Sequence, residues 1–213
     1  MRMGLTRRRF LETAVATGLP GAGSAFARIH RRRNPPNYQS VIKVRAKPGS
    51  TNGILAFEGK TYTCMLGNAG ILHPKFEGDG GTPEGLFPLR EVRYRPDRGG
   101  APKTRLPVYK TLQNDGWCDD PADAEYNKIV ALPHQTDAEA LWREDFLYDV
   151  LAVIGYNDDP VVPGAGSAIF LHVMRPPADD HQYTAGCVAL KKEDLLTVLS
   201  DCRPGTAIDI RTL

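Results

Sequence analysis

Ser167-Ala168-Ile169-Phe170-Leu171-His172-Val173-Met174 is apolar at almost every position, the pattern of a strand covered on both faces rather than one alternating between core and water. A short distance on, Lys191 to Cys202 changes period and places Leu195, Val198, Leu199 and Cys202 at i, i+3, i+4 and i+7, an amphipathic helix. Thr206 to Arg211 then reads as a closing strand. Upstream, Val41 to Arg45, Gly53 to Phe57 and Tyr62 to Leu66 are short strands, with Pro48-Gly49 and Thr51-Asn52-Gly53 as turns, so the fold opens as a β meander. Leu86 to Tyr94 and Leu147 to Tyr156 are further strand-like runs. Thr136-Asp137-Ala138-Glu139 has the form of a capping box, and with Leu141, Trp142 and Phe146 following it predicts a short helix over 136–146. The expected fold is mostly β with few helices.

The chain has 213 residues, 41% hydrophobic and 24% charged, which suits one globular domain. No uninterrupted apolar run of about 18 residues follows position 30, which excludes a multi-spanning membrane protein. The formal charge of +2 is a property of the amino terminus. Eight arginines and one glutamate lie before position 34, so residues 34–213 carry 19 basic against 24 acidic groups, net −5. That domain lacks the basic excess of a nucleic-acid binder. The Gly-rich run Gly78 to Gly85 lacks the Gly-Lys-Ser/Thr ending of a phosphate-cradling loop.

Residues 1–27 have the layout of a secretory signal: Arg2, Arg7, Arg8 and Arg9, a modestly apolar middle, and Ala25-Phe26-Ala27 at the end. Thr6-Arg7-Arg8-Arg9-Phe10-Leu11 resembles the twin-arginine export motif, which points to a periplasmic protein with no transmembrane segment in the mature chain. Residues 28–40 read as a flexible tail and 41–213 as the domain.

His172 is a polar interruption in its apolar run and needs a partner. Fifteen positions later Cys187 directly follows Gly186, whose missing side chain leaves room for a substrate carbonyl to approach the thiol and backbone N–H groups. A cysteine and a histidine together are the elements of nucleophilic catalysis, the imidazole taking the thiol proton.

Gly166-Ser-Ala-Ile-Phe-Leu-His172, Thr184-Ala-Gly-Cys-Val-Ala-Leu190 and Glu193-Asp-Leu-Leu196 resemble the L,D-transpeptidase (YkuD-type) catalytic domain family, in particular a branch with a TAGCVAL motif. So do Gly67 to Gly70, Glu77 to Gly85, Gly116 to Pro121, Tyr126-Asn127, Trp142 to Asp145 and Tyr148-Asp149. The resemblance spans roughly residues 41–211. It implies a curved-sheet, single-domain fold and a cysteine acyl transferase acting on peptidoglycan stem peptides as donor and acceptor, without cofactor or metal, and open to carbapenem-type inhibitors. Cys187 would attack and form a thioester, with His172 as base and then acid. N–H groups around Gly186 and Cys187 would meet the oxyanion, Thr184 would shape the loop, and Val173 is a candidate for the carbonyl that orients His172. The wider family's motif has His and Arg or Asn where Ala185 and Ala189 stand here. The same acyl-enzyme would also serve an L,D-carboxypeptidase or amide hydrolase, and the fold a non-catalytic cell-wall binding domain.

Substrate-side candidates are Tyr183, His181 and Lys75; His181 reads equally as a solvated loop residue, and for Lys75, as for His73 and Glu77 beside it, the solvated loop is the better reading. Zinc on His172, His181 and Cys187 is disfavoured, because no CxxC or HxxxH element supports it and the metal would occupy the nucleophile. Cys64, Cys118 and Cys202 read as structural, with one disulfide among them left open. Trp117 and Tyr126-Asn127 fit either the core or the cleft wall.

Overall fold

The structure, a computed structural model, describes residues 38–176, 178 and 182–213. The export signal read in 1–27, most of the tail and His181 lie outside the described residues.

Three amino-terminal strands, β1 (Ser40–Ala46), β2 (Asn52–Phe57) and β3 (Lys60–Met65), form the expected antiparallel meander. Asn52 and Gly53 are paired within β2, so the first turn is confined to the residues around Pro48-Gly49. Two short parallel strands, β4 (Ile71–Leu72) and β5 (Thr82–Pro83), bracket the Gly-rich loop. The long β6 (Gly85–Tyr94) pairs successively with β14 (Thr206–Thr212) and, parallel, with β7 (Val108–Lys110). A small separate sheet follows, β8 (Asp115–Cys118) between β9 (Ile129–Ala131) and β10 (Ala138–Ala140). The chain returns to the main sheet through β11 (Val150–Ile154), β12 (Phe170–Val173) and β13 (Val188–Leu190), and then enters the helix α1 (Lys192–Asp201).

The main sheet runs β11-β12-β13-β3-β2-β1-β14-β6-β7, and β11 also pairs with β6. That last pairing curls the sheet back on itself around a core that includes Ile42, Val44, Leu55, Val92, Leu171, Val188, Ile208 and the apolar face of α1. Glu193 and Asp194 sit in the first turn of α1, where negative charge favours the helix dipole. None of the described helices is long and apolar enough to cross a membrane.

The two-faced strands are realised by a second, outer cluster. On β11, Val150, Ala152 and Ile154 enter the main core, whereas Leu151 and Val153 point the other way to meet Trp117, Leu141, Leu147, Tyr148 and Phe170. On β12, Leu171 and Val173 face inward and Phe170 outward. Side-chain alternation puts His172 on the same outer face as Phe170.

One expectation fails. Residues 136–146 are not a helix: Ala138–Ala140 is strand β10, paired antiparallel to β8, and turns follow. The Thr136 hydroxyl donates to the Asp123 carboxylate at 2.7 Å, and Glu139 accepts the Tyr148 hydroxyl at 2.7 Å, so both capping-box side chains are used by distant partners. Phe146 is 40% exposed while Leu141 is buried, which a single apolar helix face would not give. Tertiary contacts override the local signal.

Candidate active site

β12 and β13 run parallel with Leu171 opposite Val188 and His172 opposite Ala189, so the residue just before β13, Cys187, emerges on the outer face beside the His172 side of β12. Cys187 and His172 both line a cleft of about 490 Å³ between the main sheet and the small β8–β10 sheet.

The loop carrying Cys187 is fixed from both ends. Thr184 N–H donates to Leu66 O at 2.8 Å, and Asn68 N–H donates to Thr184 O at 3.0 Å. The Thr184 hydroxyl accepts the Gly186 N–H at 3.1 Å and donates to Cys187 O at 2.7 Å. Gly186 adopts φ +148°, and a Cβ there would lie 2.9 Å from Gly81 O. Glycine is therefore demanded by backbone conformation and by the packed Gly-rich loop.

The thiol accepts the Phe170 N–H at 3.3 Å and donates to Ala168 O at 3.2 Å. Ala168 has φ +52°, unusual for a residue with a side chain. It is held by buried Asn127, whose Oδ1 accepts from Ala168 N–H at 3.1 Å and from Trp117 Nε1 at 2.9 Å. Its Nδ2 donates to Tyr156 O and Asn157 O, so all of this side chain's polar capacity is used. Trp117, Tyr126 and Asn127 are thus core residues backing the cleft.

His172 Nδ1 lies 2.8 Å from Val173 O. A carbonyl only accepts, so Nδ1 carries the proton of the neutral ring and Nε2 keeps its lone pair. The Tyr148 ring meets the imidazole edge to face at 5.2 Å, and its hydroxyl donates to Glu139. Burial pushes the His172 pKa down to about 4, against the raising effect of the Val173 carbonyl. Burial likewise pushes the Cys187 thiol up to about 12, with Glu139 adding to it and the Phe170 N–H opposing. At neutral pH the pair is a thiol and a neutral imidazole.

The cleft walls supply charge that the sequence did not single out as a site. Arg143 stacks over Tyr148 at 5.1 Å and is paired with Asp145 at 2.7 Å and Glu139 at 3.4 Å. Desolvation raises the Glu139 carboxyl, although about 29% of its side chain meets solvent. Desolvation and the neighbouring Glu77, Asp137 and Asp120 carboxylates raise Asp119. Glu77 accepts the Tyr126 and Ser167 hydroxyls. Only their arrival from separate loops makes these residues a wall, and no spacing in the chain encodes that.

Tyr183 lines the cleft and is 38% exposed. Lys75 also lines it, but the ammonium is engaged by Asp79 at 2.6 Å and Phe76 O at 3.2 Å. Burial opposes ionisation of Asp79, yet hydrogen bonds from Lys75 and the Phe76 and Gly81 N–H groups hold its carboxyl below the usual range. Lys75 thereby secures the turn from Phe76 to Asp79 that leads into the Gly-rich loop. Cys64, Cys118 and Cys202 are buried free thiols, so the disulfide left open among them is not formed.

Residues 50–210 match the YkuD family of L,D-transpeptidase catalytic domains. Among solved structures, L,D-transpeptidase 1 of Mycobacterium tuberculosis aligns at 9% identity with a TM-score of 0.33, covering 82% of this chain and 63% of that one. The chain thus spans less than two thirds of that relative. No curated protein sequence matches. With well over half its length inside the family match, the chain belongs to the YkuD family of L,D-transpeptidase catalytic domains.

Proposed function

We propose that the protein is an exported L,D-transpeptidase of the TAGCVAL branch, a cysteine acyl transferase that joins peptidoglycan stem peptides through a thioester on Cys187. The observation that carries this reading is the convergence of Cys187 and His172 on one cleft face from adjacent parallel strands, with the imidazole oriented by Val173 O.

Because thiol and imidazole are both neutral, proton transfer from Sγ to His172 Nε2 accompanies attack rather than preceding it. Sγ bonds to the carbonyl carbon of the third stem residue, and the bond to the terminal D-alanine breaks. His172 passes its proton to the departing amine. The acceptor amine then attacks the thioester and gives its proton to His172, which returns it to the departing sulfur, so that thiol and neutral imidazole are restored. Gly186 N–H is already given to Thr184, so oxyanion donation falls to Cys187 N–H and its neighbours. Tyr183 offers an exposed aromatic face to the substrate, and His181 belongs to the same stretch.

Purified protein and its Cys187→Ala variant, incubated with tetrapeptide muropeptides, test this by mass spectrometry. Cross-linked dimers from the parent alone are expected, with a carbapenem adduct on the Cys187 peptide. Cysteine-dependent loss of alanine without dimers would replace the reading with an L,D-carboxypeptidase. No product and no adduct would favour a binding domain. Export is tested by Arg7→Lys with Arg8→Lys, which should block secretion if the twin-arginine route is used.

A further inference from the structure

Outside the cleft, three electron-pair donors of different chemistry converge in the β8–β10 sheet. Cys118 ends β8, Asp123 lies in the turn that follows, and His134 comes after the cis Leu132-Pro133 peptide that leads toward β10. One ligand atom from each lies within 4.8 Å of the other two. His134 Nε2 is 3.1 Å from Asp123 Oδ2, and the Thr136 hydroxyl bridges Asp123 at 2.7 Å and Cys118 Sγ at 3.8 Å. Cys118 is fully buried, and the His134 and Asp123 side chains are only 19% and 14% exposed.

We propose that Cys118, Asp123 and His134 form a structural site for one divalent transition-metal ion of the zinc class, which staples the small sheet walling the cleft. Thiolate, carboxylate and imidazole are the ligand types zinc takes, at about 2.3 Å to sulfur and about 2.0–2.2 Å to nitrogen or oxygen. A tetrahedral ion then needs its ligand atoms about 3.4–3.7 Å apart, within about an ångström of where they stand. Water fills the fourth position. Binding costs the thiol its proton, which leaves to solvent as the sulfur–metal bond forms.

One further observation points to a cation. Between Asp115 and Glu139 the chain carries seven carboxylates (Asp115, Asp119, Asp120, Asp123, Glu125, Asp137 and Glu139) against the single Lys128, and only Asp115 and Glu139 meet arginines, Arg93 and Arg143, from elsewhere in the described residues. The sheet also has a structural need for a staple. Its strands are three or four residues long, and such a unit has little independent stability. Its stability matters to the site, because Asp119 and Glu139 reach the cleft from it.

The test uses the full chain, stripped with a chelator, and Co²⁺ as a spectroscopic probe. One equivalent should give thiolate-to-cobalt charge-transfer absorption that Zn²⁺ displaces, and Zn²⁺ at about 100 times its Kd should raise Tm by about 5–10 °C. Cys187→Ala must keep both signals, whereas Cys118→Ser and His134→Ala must lose the absorption. His134 is partly exposed, so its variant keeps the test decisive where Cys118→Ser does not fold. Absorption that vanishes in Cys187→Ala, or persists in His134→Ala, overturns the proposal. So does a Tm indifferent to Zn²⁺, which would leave a His134–Asp123 hydrogen bond as the whole role of the cluster. None of these outcomes depends on the transpeptidase reading.

Discussion

His172 sits on the cleft face against Tyr148, and loss of water there penalises imidazolium far more than imidazole. Its pKa is about 4 in the folded chain against about 6.5 unfolded, so between these values the unfolded state binds more protons and stability rises with pH. The contribution is fully present above pH about 6.5 and is lost as pH falls toward 4. Urea unfolding at pH 7 and 4.5 should show the parent losing about 2–3 kcal/mol more than His172→Gln. Equal losses would contradict a neutral buried imidazole. Cys187 has the opposite sign. Its thiol at about 12 keeps it protonated at neutral pH, so iodoacetamide alkylation of the Cys187 peptide should climb about tenfold per pH unit up to pH about 10. A plateau reached near neutrality would instead reveal a thiolate–imidazolium pair.

At the scale of elements, the Cys187 thiol is placed by what surrounds the start of β12 and the start of β13. Thr184 uses one hydroxyl to hold both Gly186 N–H and Cys187 O, so Thr184→Val strands two buried polar groups at a cost of about 1–3 kcal/mol. Its kcat should fall at least tenfold with KM little changed, and Thr184→Ser should recover most of it. A purely structural Thr184 would lower Tm without moving kcat of the folded fraction. Asn127 makes four hydrogen bonds across the loops that precede β9, follow β11 and lead into β12. Asn127→Ala should cost about 2–4 kcal/mol in chemical denaturation, the range for a buried polar network that loses its hub. A change below about 1 kcal/mol would show that water replaces the side chain.

The whole molecule depends on buried charge to join its parts. Asp149, just before β11, accepts Lys192 Nζ of α1 at 2.8 Å and Arg98 Nη1 at 3.3 Å, while its carbonyl accepts Arg95 N–H at 2.9 Å. Arg95 in turn lies over the Trp142 ring at 3.7 Å and donates to Arg143 O, and Arg98 donates to Glu144 O and Asp145 O. Sheet, helix and the loop carrying Arg143 are thereby tied together. Asp149→Ala removes the buried acceptor that the partly exposed Lys192 and Arg98 share and should cost about 1–3 kcal/mol. Adding Lys192→Met should recover part of that loss, measured as a double-mutant coupling by urea denaturation. Additive effects would mean that the two groups do not act together.

The longer strands, the late helix and the two-faced burial of the His172 segment were legible because their patterns are local: a period of 2 or 3.6, or an unbroken apolar run. The Gly186-Cys187 step stood out as a candidate for a related reason, since a thiol beside a glycine is a feature of adjacent residues. Residues 136–146 misled, because a capping box is only a local preference and Asp123, Tyr148 and β8 outbid it from a distance. The cleft walls were legible only in part: Lys75 and Tyr183 line the cleft, but its charged groups could not be read together. Glu77, Asp119, Glu139 and Arg143 become neighbours only when the sheet closes through β6 and β11 and the small sheet folds over its outer face. By itself the sequence determined the period of the longer elements and marked Cys187 and His172 as candidates. The tertiary structure decided which carbonyl orients His172, which groups hold the thiol, and the desolvation that makes both neutral, because burial and hydrogen-bond partners are properties of neighbours in space.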